Sequence, residues 1–205
     1  MTNTRISKLL QKNKNWSAKV EGKKPGFFNE QGQREGCRYL WFGCSDARVP
    51  ATQLMGLGPG DVFVHRNIAN QVNHEDVSSM VVLKVAVEMQ KVSDIIVCGH
   101  SKCLGVLTAL QKPEDPLLGK WLQPLVDLYD RKKQQLDQFS VEKKQEELMR
   151  LNVEQQVKQI ARNAVVQKAW DDGRDLAIHG LVYHVEKGEL EDLQISVFNE
   201  KLNSE

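Results

Sequence analysis

The stretch Asp94–Val106, DIIVCGHSKCLGV, decides the fold. Its first half, Ile95–Cys98 (IIVC), is apolar and β-branched, which is typical of a strand buried on both faces. A helix is predicted to begin near Leu104. His100 and Cys103 therefore stand three residues apart where a strand gives way to a helix. At that junction one tight turn can present an imidazole and a thiol to a single metal ion.

Upstream of this stretch, strands and helices alternate. Tyr39–Phe42 is predicted to be a buried strand that closes at Cys44, and Asp61–His65 is predicted to be a second strand. A short helix from Pro50 to about Met55 separates them, and Val77–Gln90 has apolar residues at helical spacing. Repeated strand–helix order is the signature of a parallel sheet with crossover helices, so the sequence predicts an α/β fold.

The predicted sheet brings a third ligand to the first two. The carboxyl ends of neighbouring parallel strands share one edge, so we expect Cys44 to lie beside His100 and Cys103. Two thiolates and an imidazole are ligands that zinc accepts, and catalytic zinc typically keeps one position open. Asp46 can accept a hydrogen bond from bound water or take the fourth position itself. Arg48 can hold Asp46 in a bidentate ion pair.

The residues alone leave purely structural interpretations open. Cys44 and Cys103 can be buried apolar cysteines, with His100 a hydrogen-bonded core histidine. Asp46 and Arg48 can be a surface ion pair. A zinc finger is disfavoured because a second ligand pair is missing, and a redox pair is disfavoured because there is no Cys-x-x-Cys motif.

The ends of the chain are less informative. Ile6–Val20 has a loosely helical apolar pattern and must cover its apolar side against its own domain or a second subunit. Glu21–Gly36, rich in glycine and charge, is predicted to be a surface loop.

After the αβ core, the sequence predicts long amphipathic helices over Leu117–Gln138 and Ser140–Trp170, with Asn152 as a break or cap. A final hairpin is predicted from Asp175–Val185 and Leu193–Phe198, which alternate apolar and polar residues.

Composition limits the function classes. The chain has 205 residues, enough for one domain, with a net charge of +1 and 27% charged residues. That balance argues against nucleic-acid binding through a broad basic patch. No apolar run approaches the roughly 20 residues that cross a bilayer. The N-terminal residues lack a secretion signal and do not favour an organelle presequence, so a cytoplasmic location is expected.

Three blocks resemble the signature of the β-class carbonic anhydrases, in order and in separation. They are Cys44–Arg48 (CSDAR), His65–Asn70 (HRNIAN) and Cys98–Cys103 (CGHSKC). The similarity extends from about Trp16 to Phe198. It implies a zinc enzyme that interconverts carbon dioxide and water with bicarbonate and a proton, by attack of a zinc-held hydroxide.

The resemblance also implies roles and assembly. One Zn²⁺ per chain would be held by Cys44, His100 and Cys103, with Asp46 and Arg48 as the catalytic dyad. Residues 1–205 would form one domain with a mostly parallel sheet. Its N-terminal arm, residues 1–36, would pack on a partner subunit in a homodimer or a dimer of dimers.

Some β-class enzymes bind inhibitory bicarbonate at a second site. Trp41, Arg66 and Tyr183 match the residues of that site. Binding there frees the dyad aspartate, which moves onto the metal and closes the site at low pH. The resemblance thus implies such a switch here, and the alternative is that Trp41 and Tyr183 are core aromatics.

Two departures from the family pattern bear on the substrate. Many relatives have glycine directly after the second ligand cysteine, where this chain has Leu104. Relatives also place a substrate-binding glutamine about nine residues before the first ligand, where this chain has Glu35, so we assign that role to Gln33. A changed pocket leaves hydrolysis of carbon disulfide or carbonyl sulfide as an alternative, and a non-catalytic zinc-stabilised scaffold is another.

Overall fold

A mixed sheet lies at the centre of the larger of two units in the computed structural model, which describes residues 4–199. The units are Met1–Glu35 and Gly36–Glu205. The strands are Tyr39–Cys44 (β1), Val62–Asn67 (β2), Asp94–His100 (β3), Ala177–His184 (β4) and Glu189–Asp192 (β5). Their order is β2-β1-β3-β4-β5. The first four strands are parallel, and β5 is antiparallel to β4. The predicted α/β fold with a mostly parallel sheet is confirmed.

Helices of this unit follow the strands in the predicted alternation. They are Ala51–Leu54 (α3), Val77–Lys84 (α4), Leu104–Leu110 (α5), Pro116–Leu136 (α6), Val141–Ala161 (α7) and Ala164–Asp171 (α8). A π-helical turn over Val85–Met89 continues α4, and a 3₁₀ turn over Ile68–Asn70 follows β2. Side chains at Asp76, Asp115, Ser140 and Asn163 cap four of these helices by accepting backbone N–H bonds.

The strand order sets the place of the site. From β1 the chain passes to β2 on one side, whereas from β3 it passes to β4 on the other side. The carboxyl ends of β1 and β3 therefore flank a switch point, where loops diverge and leave a crevice. Cys44 ends β1 and His100 ends β3.

Alternation along β1 builds a core on both faces of the sheet. Leu40, Phe42 and Cys44 belong to the larger apolar cluster, which the long helices cover. Trp41 belongs to a smaller cluster on the opposite face, with Cys98 and others. This two-sided burial explains why the predicted strands read as continuous apolar runs.

The predicted boundaries were wrong at two places in this unit. Asn152 does not break a helix: α7 runs through it, and the chain instead breaks near Asn163, which caps α8. Asn152 is buried and its side chain has hydrogen-bond partners, so it is tolerated in mid-helix. The second hairpin strand is Glu189–Asp192 rather than Leu193–Phe198, which contributes a single bridge at Val197.

The Met1–Glu35 unit contains two helices, Thr4–Lys23 (α1) and Phe27–Gln33 (α2). The predicted surface loop was therefore wrong over α2. The Phe28 and Trp16 rings make an edge contact at 5.6 Å between centroids. This contact joins α2 to α1. None of the residues in α1 is buried, and its packing on a partner subunit stays a prediction.

Candidate metal centre

Three side chains meet at the carboxyl edge of the sheet. Cys44 and His100 end adjacent strands, and Cys103 is the residue before α5. One ligand atom from each lies within 4.8 Å of the others, and all three residues are buried. The prediction that the sheet edge would join Cys44 to the distant pair is confirmed.

The cluster fits a metal ion with thiolate and imidazole ligands. Within the described part of the chain, His100 Nε2 is buried with no hydrogen-bond partner. Its Nδ1 lies 3.0 Å from the Ser101 carbonyl oxygen, which fixes the ring. Zinc–sulfur bonds of about 2.3 Å at tetrahedral angles separate two sulfurs by about 3.8 Å. The Cys44 and Cys103 sulfurs are 3.9 Å apart.

The two thiols share a hydrogen bond that makes one of them acidic. This bond from Cys103 lowers the pKa of Cys44 well below its usual value, against the opposing effect of burial. His100 and the backbone N–H groups of Asp46 and Ala69 also favour the Cys44 thiolate. The same shared bond, together with burial, raises the pKa of Cys103. The pair therefore favours one negative charge before any cation binds.

Asp46 and Arg48 form a bidentate pair beside the cluster. Arg48 Nε donates to Asp46 Oδ1 at 2.9 Å and Nη2 donates to Oδ2 at 2.7 Å. The Arg48 backbone N–H also donates to Oδ1, at 2.9 Å. These bonds hold the pKa of Asp46 well below its usual range. Asp46 Oδ2 lies 4.0 Å from His100 Nε2, so an ionised carboxylate faces the cluster.

Comparisons with known proteins agree with this geometry. The family model described as carbonic anhydrase matches residues 39–190. This chain belongs to the carbonic anhydrase family. A carbonic anhydrase of Emericella nidulans is 40% identical over 189 residues, which cover 92% of this chain and 83% of that protein.

Solved structures of β-carbonic anhydrases share the whole fold. One of two tetrameric enzymes from Sordaria macrospora is 32% identical, with a TM-score of 0.91 over 95% of this chain and 100% of its own. An enzyme from Aspergillus fumigatus is 38% identical, with a TM-score of 0.90 over 98% of this chain and 96% of its own. The resemblance to the β-class is confirmed.

Two of the three residues of the predicted second site lie in one cluster, and the third bonds the loop after β1. Trp41 and Tyr183 share the smaller apolar cluster. Arg66 Nε donates to the Cys44 carbonyl oxygen at 2.8 Å, and its Nη2 donates to the carbonyl oxygen of Asp46. Trp41 Nε1 is a buried donor without a partner among the described residues.

The structure shows the surroundings of Leu104 and Gln33, the residues at the two departures from the family pattern. Leu104 is 71% exposed in the single chain. The tight position is Gly105, where a Cβ atom would lie 2.7 Å from Ile68 Cγ2. Gln33 lies in the Met1–Glu35 unit, where its Nε2 donates to Asn29 Oδ1 at 3.4 Å. Its role toward a substrate stays a prediction.

One supporting residue was missed by the sequence analysis. Gln145, on α7, donates from Nε2 to the Cys103 carbonyl oxygen at 2.8 Å. The two residues are 42 positions apart, and a glutamine in an amphipathic helix carries no motif. Only the tertiary packing of α7 against the sheet identifies it.

No helix in residues 4–199 combines the length and the apolar character that a membrane crossing needs.

Proposed function

We propose that this carbonic anhydrase catalyses the reversible hydration of carbon dioxide to bicarbonate and a proton, with one Zn²⁺ per chain held by Cys44, His100 and Cys103. The observation that carries this proposal is the buried cluster of those three ligands with the Asp46–Arg48 pair beside it. A purely structural zinc site has no use for an ionised carboxylate 4.0 Å from a ligand nitrogen. When bound, zinc acts as a Lewis acid that lowers the pKa of water toward neutrality.

Asp46 would orient the attacking oxygen. Because Arg48 keeps it ionised, Asp46 can only accept hydrogen bonds, so it accepts the O–H of the nucleophile and turns a lone pair toward carbon dioxide. Arg48 also holds the carboxylate in the bidentate pair, and this pairing would compete with binding of Asp46 to the metal. The Ser101 carbonyl oxygen contacts Nδ1 of His100, which leaves the unpartnered Nε2 as the nitrogen that would bind the metal. The proton is transferred to buffer or to a histidine.

The test of this function combines metal content with turnover on one sample. We expect one zinc per chain and rapid hydration of carbon dioxide by stopped flow at mildly alkaline pH. Full zinc content without measurable hydration would contradict the proposed activity. In that case carbonyl sulfide and carbon disulfide would be tested next on the same sample.

We also propose that the chain assembles as a homodimer or a dimer of dimers. The apolar residues of α1 support this, because Ile6, Leu9, Leu10 and Trp16 are between 47% and 60% exposed. An exposed apolar row of this kind marks an interaction surface. A similar solved structure is described as tetrameric. The zinc-loaded sample is expected to sediment as a dimer or tetramer, and a monomer would contradict the assembly alone.

Inhibition by bicarbonate at the second site is proposed from three observations. The partnerless Trp41 Nε1 is a donor that an anion would satisfy. Arg66 bridges the carbonyl oxygens of Cys44 and Asp46, so an anion that draws Arg66 away would disturb the dyad aspartate. Tyr183 lies in the same cluster as Trp41.

Near neutral pH, added bicarbonate is expected to lower the hydration rate of the wild type. Trp41→Phe, which removes the Nε1 donor and keeps an aromatic ring, should weaken that inhibition by about 10-fold, the value of one charge-assisted hydrogen bond. The measurement is the hydration rate against bicarbonate concentration at neutral and alkaline pH. A neutral-pH rate that does not depend on bicarbonate would refute the switch.

A further inference from the structure

The 3₁₀ turn over Ile68–Asn70 lies between the two elements that carry the thiol ligands. On one side, the Ser45 backbone N–H donates to the Asn67 carbonyl oxygen at 2.9 Å, which joins the end of β1 to the start of the turn. On the other side, a Cβ atom on Gly105 would lie 2.7 Å from the nearest side-chain atom of the turn. The turn therefore sets the spacing between the end of β1 and the start of α5.

The backbone of this turn has an unfavourable conformation. Ala69 has φ of 62° and Asn70 has φ of 45°. Both residues are in the left-handed region, which residues with a Cβ atom rarely adopt and almost never adopt in succession. Such a conformation persists only where the surrounding structure holds it.

A buried amide network holds the turn from behind. The Ala69 carbonyl oxygen accepts from Asn152 Nδ2 at 3.0 Å and from Gln71 Nε2 at 2.9 Å. Asn152 Oδ1 in turn accepts from Gln71 Nε2 at 2.8 Å and from Gln156 Nε2 at 2.9 Å. Gln156 Oε1 accepts the backbone N–H of Val72 at 2.9 Å. The three amide side chains belong to residues that are at most 3% exposed.

These amides lie where apolar side chains would be expected. Asn152 and Gln156 are one turn apart on the buried face of α7, among Leu148, Val153 and Val157. A buried amide costs free energy unless its polar atoms are paired. Apolar side chains at these two positions would be enough to pack α7 on the sheet. The hydrogen bonds of these amides end on the Ala69 carbonyl oxygen and on the backbone that follows it, so the amides act specifically on the turn.

We propose that Gln71, Asn152 and Gln156 are positioning residues for the metal centre. By holding the left-handed turn in place, they fix the separation and orientation of Cys44 and Cys103. This inference rests on the proposed function, because it takes Cys44, His100 and Cys103 as the zinc ligands. The Ala69 backbone N–H, which favours the Cys44 thiolate, lies in the same turn.

The test is the zinc affinity of holoenzyme variants, measured by equilibrium transfer of zinc to a chromophoric chelator. Asn152→Leu removes the amide and keeps the γ-branched shape of the side chain. Gly105→Ala pushes on the turn from the opposite side and leaves the network chemically intact. Both variants are expected to weaken zinc binding by about 10-fold or more, as loss of groups that orient metal ligands does. The ligand-field bands of the cobalt-substituted protein should shift with them.

Val157→Ala is the control, because Val157 is buried on the same helix and destabilises the fold when truncated. It should leave zinc affinity within about two-fold of the wild type, since its side chain has no polar atom and makes none of the hydrogen bonds of the network. Equal losses in Val157→Ala and Asn152→Leu would overturn the proposal, as would unchanged affinity in Asn152→Leu and Gly105→Ala. If Asn152→Leu does not fold, Gln156→Met, which removes the amide that bonds Asn152 Oδ1 and the Val72 backbone N–H, takes its place in the comparison with Val157→Ala. A wild type that binds no zinc would refute the proposed function instead.

Discussion

Cys44→Ser is expected to lose zinc and carbon dioxide hydration together. A serine hydroxyl does not ionise near neutral pH, so the site would lose one of its two anionic ligands. His100 and Cys103 would remain, and two ligands are fewer than the three protein ligands that a catalytic zinc site takes. Zinc should fall below about a tenth of an equivalent, and turnover should drop by at least about 1,000-fold, because the metal supplies the nucleophile.

The control for this prediction is Cys37→Ser. Cys37 is half-buried, and its thiol donates to the Tyr39 carbonyl oxygen at 3.7 Å, a bond that a serine hydroxyl can replace. This variant should retain zinc and turnover, which separates loss of a ligand from loss of any thiol. Zinc content is measured by metal analysis after gel filtration and turnover by stopped flow. Full zinc content in Cys44→Ser would show that the ligand set is wrong.

The fold and the ligand cluster could be predicted because both depend on local patterns and one general rule of topology. Ile95–Cys98 and Tyr39–Phe42 are continuous apolar runs, and such runs alternating with helices specify a parallel sheet. Parallel strands end at a common edge, so Cys44 and His100 had to lie close together although 56 positions separate them. Asp46 and Arg48 are two residues apart on the loop after β1, and their pairing follows from that proximity.

The residues that hold the metal centre in place could not be predicted, because they carry no sequence motif and act through long-range packing. Asn152 was read as a helix break, since asparagine is a weak helix former. Its burial against Ala69, 83 positions away, reverses that expectation. Gln145 is similar: its bond to Cys103 is visible only once α7 is packed against the sheet. Local propensity is a weak guide wherever a tertiary hydrogen bond satisfies the polar side chain.

Asp46→Asn is expected to keep zinc and lose turnover. The ligands Cys44, His100 and Cys103 are unchanged, so metal content should equal that of the wild type. A neutral amide can still accept a hydrogen bond, but its NH₂ group can also donate, so the nucleophile is no longer held in one orientation. The ion pair with Arg48 is lost as well. We expect kcat to fall about 100-fold or more, which is the cost of a reacting group that is no longer held in the productive orientation.

The pH profile separates two roles for Asp46. Arg48 holds the pKa of this carboxyl below its usual range, so in the wild type Asp46 is ionised at every pH above that range. The plot of hydration rate against pH should therefore keep the same shape at alkaline pH in Asp46→Asn, with a lower rate at every pH. If Asp46 itself were the group that titrates during the reaction, the pH dependence of the rate would shift to another pH or disappear. The rate is measured across neutral and alkaline pH on both proteins.

Two comparisons decide whether Asp46 acts in the reaction or only maintains the site. A group used in the transition state lowers kcat and kcat/KM together, whereas a change in substrate binding alone raises KM. Glu189→Gln removes one negative charge from an exposed position on β5 and should leave the rate unchanged. Arg48→Gln should reduce the rate while zinc stays bound, since it frees Asp46 to approach the metal. Unchanged turnover in Asp46→Asn would mean that the ion pair beside the cluster is structural, and that the nucleophile is oriented by other residues.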